Sequence, residues 1–82
     1  MPEENIRKAA GEVLSSNCRT EVVKRLADKD LGFEQLRREL NATSGNLAYH
    51  LMRLRSVGLL TRRQSRYCLT DAGKMIVEKF LM

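Results

Sequence analysis

The sequence predicts a mainly α-helical domain that carries one small β-hairpin. Three observations support this. Apolar residues recur at helical spacing over most of the 82 residues, the spacing changes to every second residue between Leu59 and Thr70, and helical spacing resumes after Thr70. About five helices and a two-stranded hairpin are expected in one domain spanning residues 1–82, with no internal repeat, low-complexity tract or linker. A chain of this size buries only about 60% of its unfolded surface. Oligomerisation is a common remedy for so small a core, and it is expected here.

Taken in order, the first helix spans residues 2–14, with Pro2 at an early turn and Glu3 and Glu4 near the positive end of the helix dipole. Ile6, Ala9, Ala10, Val13 and Leu14 form its apolar stripe. Ser16 or Asn17 caps the second helix, whose apolar face is Val22, Val23, Leu26 and Ala27. Asp30-Leu31-Gly32 breaks the chain, and the third helix follows with Phe33, Leu36 and Leu40 on one face and Arg37, Arg38 and Glu39 on the other. A tight turn at Asn41-Ala42-Thr43 leads to a fourth helix, capped by Thr43 or Ser44 and running to Val57. Its buried face is Leu47, Leu51 and Leu54. Gly58 suits the left-handed conformation that closes a helix. Leu59–Arg63 and Arg66–Thr70 are β-prone runs separated by Gln64-Ser65, a pair that names no favoured two-residue turn type. Tyr67 and Leu69 alternate in the second run, which packs Tyr67 under the hairpin. Thr70 caps a last helix over residues 71–81, with Ala72, Met75, Ile76 and Phe80 on its apolar side. The four methionines fill gaps in the core or between subunits.

The net charge of +5 is unevenly distributed. Residues 1–40 hold eight basic and eight acidic side chains, whereas residues 41–82 hold seven basic against Asp71 and Glu78 alone. No acidic residue lies between Asn41 and Thr70, the interval that contains Arg53, Arg55, Arg62, Arg63 and Arg66. Such one-sided charge suits a polyanionic partner. A merely solvated arginine-rich surface is the competing reading.

The order of elements decides between these two. Helix, short helix, turn, longer helix, hairpin and helix is the winged helix–turn–helix arrangement, with the helix–turn–helix at residues 33–57 and the wing at 59–70. The second helix of such a motif presents its N-terminal residues to base edges in the major groove of DNA. With the leucines facing inward, the opposite side offers Ser44, Gly45, Asn46, Tyr49 and Arg53, and Thr43 at the helix start is a further candidate contact. The wing adds Arg62, Arg63, Gln64, Ser65 and Arg66, set over a minor groove or the flanking backbone. The acid-free interval thus coincides with the two parts that touch a duplex. His50 has two readings, a partly buried residue hydrogen-bonded to backbone or a phosphate contact.

Other functions find little support. No nucleophile–base pair suggests an enzyme, and no cofactor is expected. Cys18 and Cys68 lie fifty positions apart without a CxxC or Cys/His cluster, so metal binding is not expected and two reduced thiols are. Neither a leader peptide nor a run of roughly 20 apolar residues is visible, which predicts a cytoplasmic protein with no membrane partner. Recognition of single strands or RNA would want stacking platforms, and the chain has only four aromatic rings. A protein-interaction module within a larger transcription or replication complex is the alternative to DNA binding.

The run Ser44-Gly-Asn-Leu-Ala-Tyr-His-Leu-Met-Arg-Leu-Arg-Ser-Val-Gly-Leu-Leu, followed by Tyr67-Cys-Leu-Thr-Asp-Ala-Gly, resembles the ArsR-type and MarR-like winged helix families over residues 18–80. That resemblance implies a homodimeric double-stranded DNA-binding transcription regulator, usually a repressor. It also implies a dimer interface built from the first and last helices, here Ile6, Ala10, Val13, Met75, Ile76 and Phe80. By matching position, Ala48, Tyr49 and His50 fall where these families contact DNA. The cysteine pair that ArsR-type metal sensors carry in the first helix of the motif is missing from Phe33–Leu40, and the wing is shorter than usual. No separate effector domain is expected from these 82 residues. A small-molecule effector, if the regulator uses one, would bind between the dimer helices.

Overall fold

The computed structural model describes residues 3–82, with side chains from Asn5 onward, so the expected turn at Pro2 and the side chains of Glu3 and Glu4 lie outside the described residues. Five helices and a three-stranded antiparallel sheet follow in the order α1 (Glu3–Leu14), α2 (Asn17–Asp28), β1 (Leu31–Gly32), α3 (Phe33–Leu40), α4 (Ser44–Ser56), β2 (Leu60–Arg63), β3 (Arg66–Leu69) and α5 (Asp71–Ile76), which continues as a π-helical turn over Val77–Leu81.

The caps form where short polar side chains can accept from a free backbone N–H. The Ser16 side chain accepts from the Arg19 N–H at 3.3 Å. Thr43 does the same for Asn46 at 3.2 Å, and Thr70 for Gly73 at 3.2 Å. Asn41 closes α3 and Gly58 follows α4, both in the left-handed region at φ 52° and 78°.

The apolar stripes converge on one core. Val13, Val22, Val23, Leu36, Leu47, Leu54, Leu59 and Ile76 are fully buried in it, and Tyr67 and Leu69 close it from the wing. Two residues expected on the stripes of the first two helices lie outside it: Leu14 is half exposed and Ala27 is exposed.

Three further findings differ from expectation. The two-stranded hairpin of the wing forms between β2 and β3, and a third strand joins it. The supposed break at Leu31-Gly32 adds β1 to the sheet, in the order β1-β3-β2, with Leu31 opposite Tyr67 and Gly32 opposite Arg66. Two residues are too few to show alternation, so this strand gives no periodic signal. Gly32 suits the site because a Cβ there would sit 3.3 Å from the Ser65 carbonyl oxygen.

The second correction concerns the dimer residues. Ile6, Ala10, Val13 and Ile76 are consumed by the protomer's own core, so these four side chains present no surface to a second copy. A chain this small has few large apolar side chains, and its own core claims them first.

The last helix is also not α-helical throughout. Its final turn widens to π geometry, so Leu81 rather than Phe80 packs against the core, and Phe80 is left 41% exposed.

Candidate nucleic-acid interface

The site is built on α4. Its first turn carries no acidic residue, and Thr43, Ser44, Gly45 and Asn46 are all exposed at the positive end of the helix. Leu47, Leu51 and Leu54 face the core, so the outward side presents Ala48, Tyr49, Met52 and Arg55. A groove of about 360 Å³ runs along this side, lined by Phe33, Ala48, Leu51, Met52, Arg55, Ser56 and Tyr67. Tyr67 belongs to β3, so α4 and the wing form two walls of one groove.

Arg62, Arg63, Gln64, Ser65 and Arg66 are all exposed at the wing tip. Gln64 takes the left-handed φ of 54° that the two-residue turn demands. The Arg62 guanidinium lies 5.8 Å from the centre of the Tyr67 ring, which sets a cation on the groove's rim. Arg63 and Arg66 are direct cross-strand partners. Like charges opposite one another destabilise a hairpin unless an anion lies between or beside them.

Ion pairing separates the arginines into two groups. Those of α3 are neutralised within the fold, since Glu34 pairs with Arg37 and Arg38. Glu39 pairs with Arg25 of α2 at 3.5 Å. Among the described residues, Arg55, Arg62, Arg63 and Arg66 pair with no carboxylate. Arg55 lines the groove, Arg62 borders it and the other two occupy the adjacent wing tip.

Two expected contact residues face elsewhere. Arg53 turns toward α1, where its Nη2 and Nε donate to Glu12 Oε1 at 2.6 and 3.0 Å. His50 accepts at Nδ1 from Arg19 Nε at 3.0 Å, a side-chain partner that neither of its two readings had named. Arg19 is itself buried and also donates through Nη1 to the Glu12 carbonyl at 2.8 Å. Glu12, Arg19, His50 and Arg53 therefore form a polar strut tying α1 and α2 to α4. Behind Tyr49, the Arg19 guanidinium lies 6.0 Å from the ring centre and His50 meets the ring edge-on at 5.3 Å. The exposed Tyr49 ring is thus held in place from within.

Sequence reasoning missed Glu12, Arg19 and Met52, and counted Arg55 in the acid-free interval without placing it in the contact set. Arg19 had a usable signal, since it stands three residues before Val22 and so continues the buried stripe of α2. Met52 had one too, lying four residues after Ala48 and three after Tyr49 on the outward face. No local pattern marks Glu12, whose partners lie seven and forty-one positions away.

The strut has a pH consequence. Burial first, and the Arg19 charge second, push the His50 pKa below its ordinary value. The folded protein then binds fewer protons at His50 than the unfolded chain does. This contribution to stability is fully present above the unfolded pKa of about 6.5, and it falls as pH drops through that value toward the folded pKa. Urea unfolding at about pH 7.5 and pH 5.5 is expected to show lower stability at the acid end. His50→Asn keeps an acceptor near the Nδ1 position and should flatten that loss. An equal loss in wild type and variant would assign the pH dependence to other groups.

No group of three or more His, Cys, Asp or Glu among the described residues could hold a metal ion. Nor is any of the described helices long and apolar enough to cross a membrane.

Residues 7–80 match a family described as a domain of unknown function, DUF7347. The chain belongs to the DUF7347 family. The match takes in the strut, α4, the wing and α5, so the groove lies wholly within this DUF7347 domain. No curated protein matches the chain.

Proposed function

We propose that this DUF7347 domain is a cytoplasmic regulator of transcription that binds double-stranded DNA as a homodimer and acts as a repressor. The observation that carries the reading is the set of four carboxylate-free arginines, Arg55, Arg62, Arg63 and Arg66, gathered around the groove between α4 and the wing. An α-helix about 10–12 Å across fits a major groove about 12 Å wide. In this reading α4 enters that groove. Its exposed N-terminus and Thr43, Ser44 and Asn46 meet a phosphate, Gly45 allows close approach, and Ala48, Tyr49, Met52 and Arg55 face the bases. Arg62, Arg63 and Arg66 lie on the flanking backbone or minor groove, where neutralised phosphates supply affinity. His50 and Arg53 leave the contact set and hold the reading helix in position. The resemblance to ArsR-type and MarR-like winged helices supports the same assignment.

For the dimer, Met75, the exposed Phe80 and Met82, and Leu14 at the end of α1 are the apolar side chains of the terminal segments left for a second copy. Two reading helices should then meet half-sites about 34 Å apart on one face of the duplex. Selection from a random duplex pool tests function and symmetry together. A palindromic consensus with half-sites about 10–10.5 base pairs apart is expected. Failure to enrich any duplex would contradict DNA reading, and a single non-repeated site would contradict the dimer.

A further inference from the structure

The outward face of α4 is not uniformly polar. Ala48, Tyr49 and Met52 make a short apolar stripe along it, and Met52 is 56% exposed and Tyr49 49% exposed. Ala48 and Met52 also line the groove together with Phe33, so an apolar floor lies between the cationic side chains Arg55 and Arg62. A methionine left so exposed at this point contributes little to the protomer's own core. Charge complementarity selects the occupant, since cations rim the floor and no carboxylate occurs between Asn41 and Thr70. The occupant must be polyanionic outside and apolar at the point of contact. In the major groove of DNA the apolar feature of a base edge is the thymine C5-methyl group.

We propose that Met52, backed by Ala48 and Phe33, reads thymine through its C5-methyl group, which makes Met52 a specificity-determining residue of the interface. The inference rests on the duplex binding proposed above. Thioether side chains suit the task because they are polarizable and adapt to the position of the methyl group. Ala48 is short enough to let the base edge approach the helix.

The test compares two A·T-rich duplexes of identical sequence, one containing thymine and one 2′-deoxyuridine, which lacks only the methyl group. Wild type should bind the thymine duplex more tightly by about fourfold for each methyl contacted. Met52→Ala, an exposed substitution whose fold is checked by circular dichroism, should bind the two duplexes equally. Equal wild-type affinity for both, with binding still weakened by salt, would overturn the methyl reading and leave duplex binding standing. A preference for thymine that persists undiminished in Met52→Ala would also overturn it, because DNA shape rather than Met52 would then be read. Binding of neither duplex would overturn this inference and the proposed function together.

Discussion

Replacing Arg62, Arg63 and Arg66 together by alanine is expected to lower affinity for duplex DNA on the order of 10²–10³-fold for each bound protomer near 0.1 M salt, with the fold intact. Each phosphate neutralised by an arginine adds about 0.9 to the slope of log affinity against log salt. Losing three contacts per protomer flattens the slope by roughly 2.7 units, which sets the size of the effect at that salt. Stability should hardly change. All three side chains are exposed, and relief of the Arg63–Arg66 repulsion offsets the lost Arg62–Tyr67 contact of about 0.5–1 kcal/mol. Fluorescence-anisotropy titrations at several salt concentrations, with thermal melts on the same samples, separate the two quantities. An unchanged slope would remove the wing from the interface.

The second large effect concerns the base of the wing. Gly73→Ala is expected to destabilise the protein by about 3 kcal/mol, toward the upper end of what overpacking costs. A Cβ at Gly73 would collide with the Leu59 carbonyl oxygen, backbone that cannot rotate away, and would also crowd Leu69 Cδ2 at 3.1 Å. That same carbonyl accepts from the Thr70 N–H at 3.0 Å, and the Thr70 hydroxyl donates to the Gly58 carbonyl at 2.7 Å. Moving Leu59 therefore disturbs the end of α4, the wing and the start of α5 at once. In a domain this small the change corresponds to a fall in Tm of about 12–24 °C. Gly11→Ala is the control. Nothing lies within 4 Å of a Cβ there, so the better helix propensity of alanine should stabilise α1 by about 0.5–1 kcal/mol. Opposite signs for one substitution in two helices are the expected calorimetric result. A neutral or stabilising Gly73→Ala would contradict the packing at this junction.

Much of the fold was legible because most of its signals are local. The leucines of α4, the threonine caps at 43 and 70 and the glycine at 58 each depend on neighbours within a few residues. The two-residue β1 was not, since its assignment depends on pairing Leu31 with Tyr67, thirty-six positions away. The terminal helices were legible as helices but not in their use. An apolar stripe looks the same whether it faces the protomer's own core or a second copy, and burial assigned Ile6, Ala10, Val13 and Ile76 to the former.

The candidate site divides along the same line. Its wing and the N-terminal turn of α4 could be read from a charge-free-of-acid interval and a cap. The inward turn of Arg53 and His50 could not, because Glu12 and Arg19 reach them from other helices. Helical spacing gives only the angular position of a side chain, and Arg53 lies close enough to the boundary for a long-range carboxylate to decide its direction.

The most direct test of the central claim is the salt dependence of wild-type binding to random duplex DNA between about 50 and 200 mM salt. Three wing arginines per protomer on the phosphate backbone predict a log–log slope near −2.7 per protomer and about −5.4 for the dimer, a loss on the order of 10³-fold for the dimer over that range. Absence of binding at the lowest salt, or an affinity that salt leaves unchanged, would contradict the account.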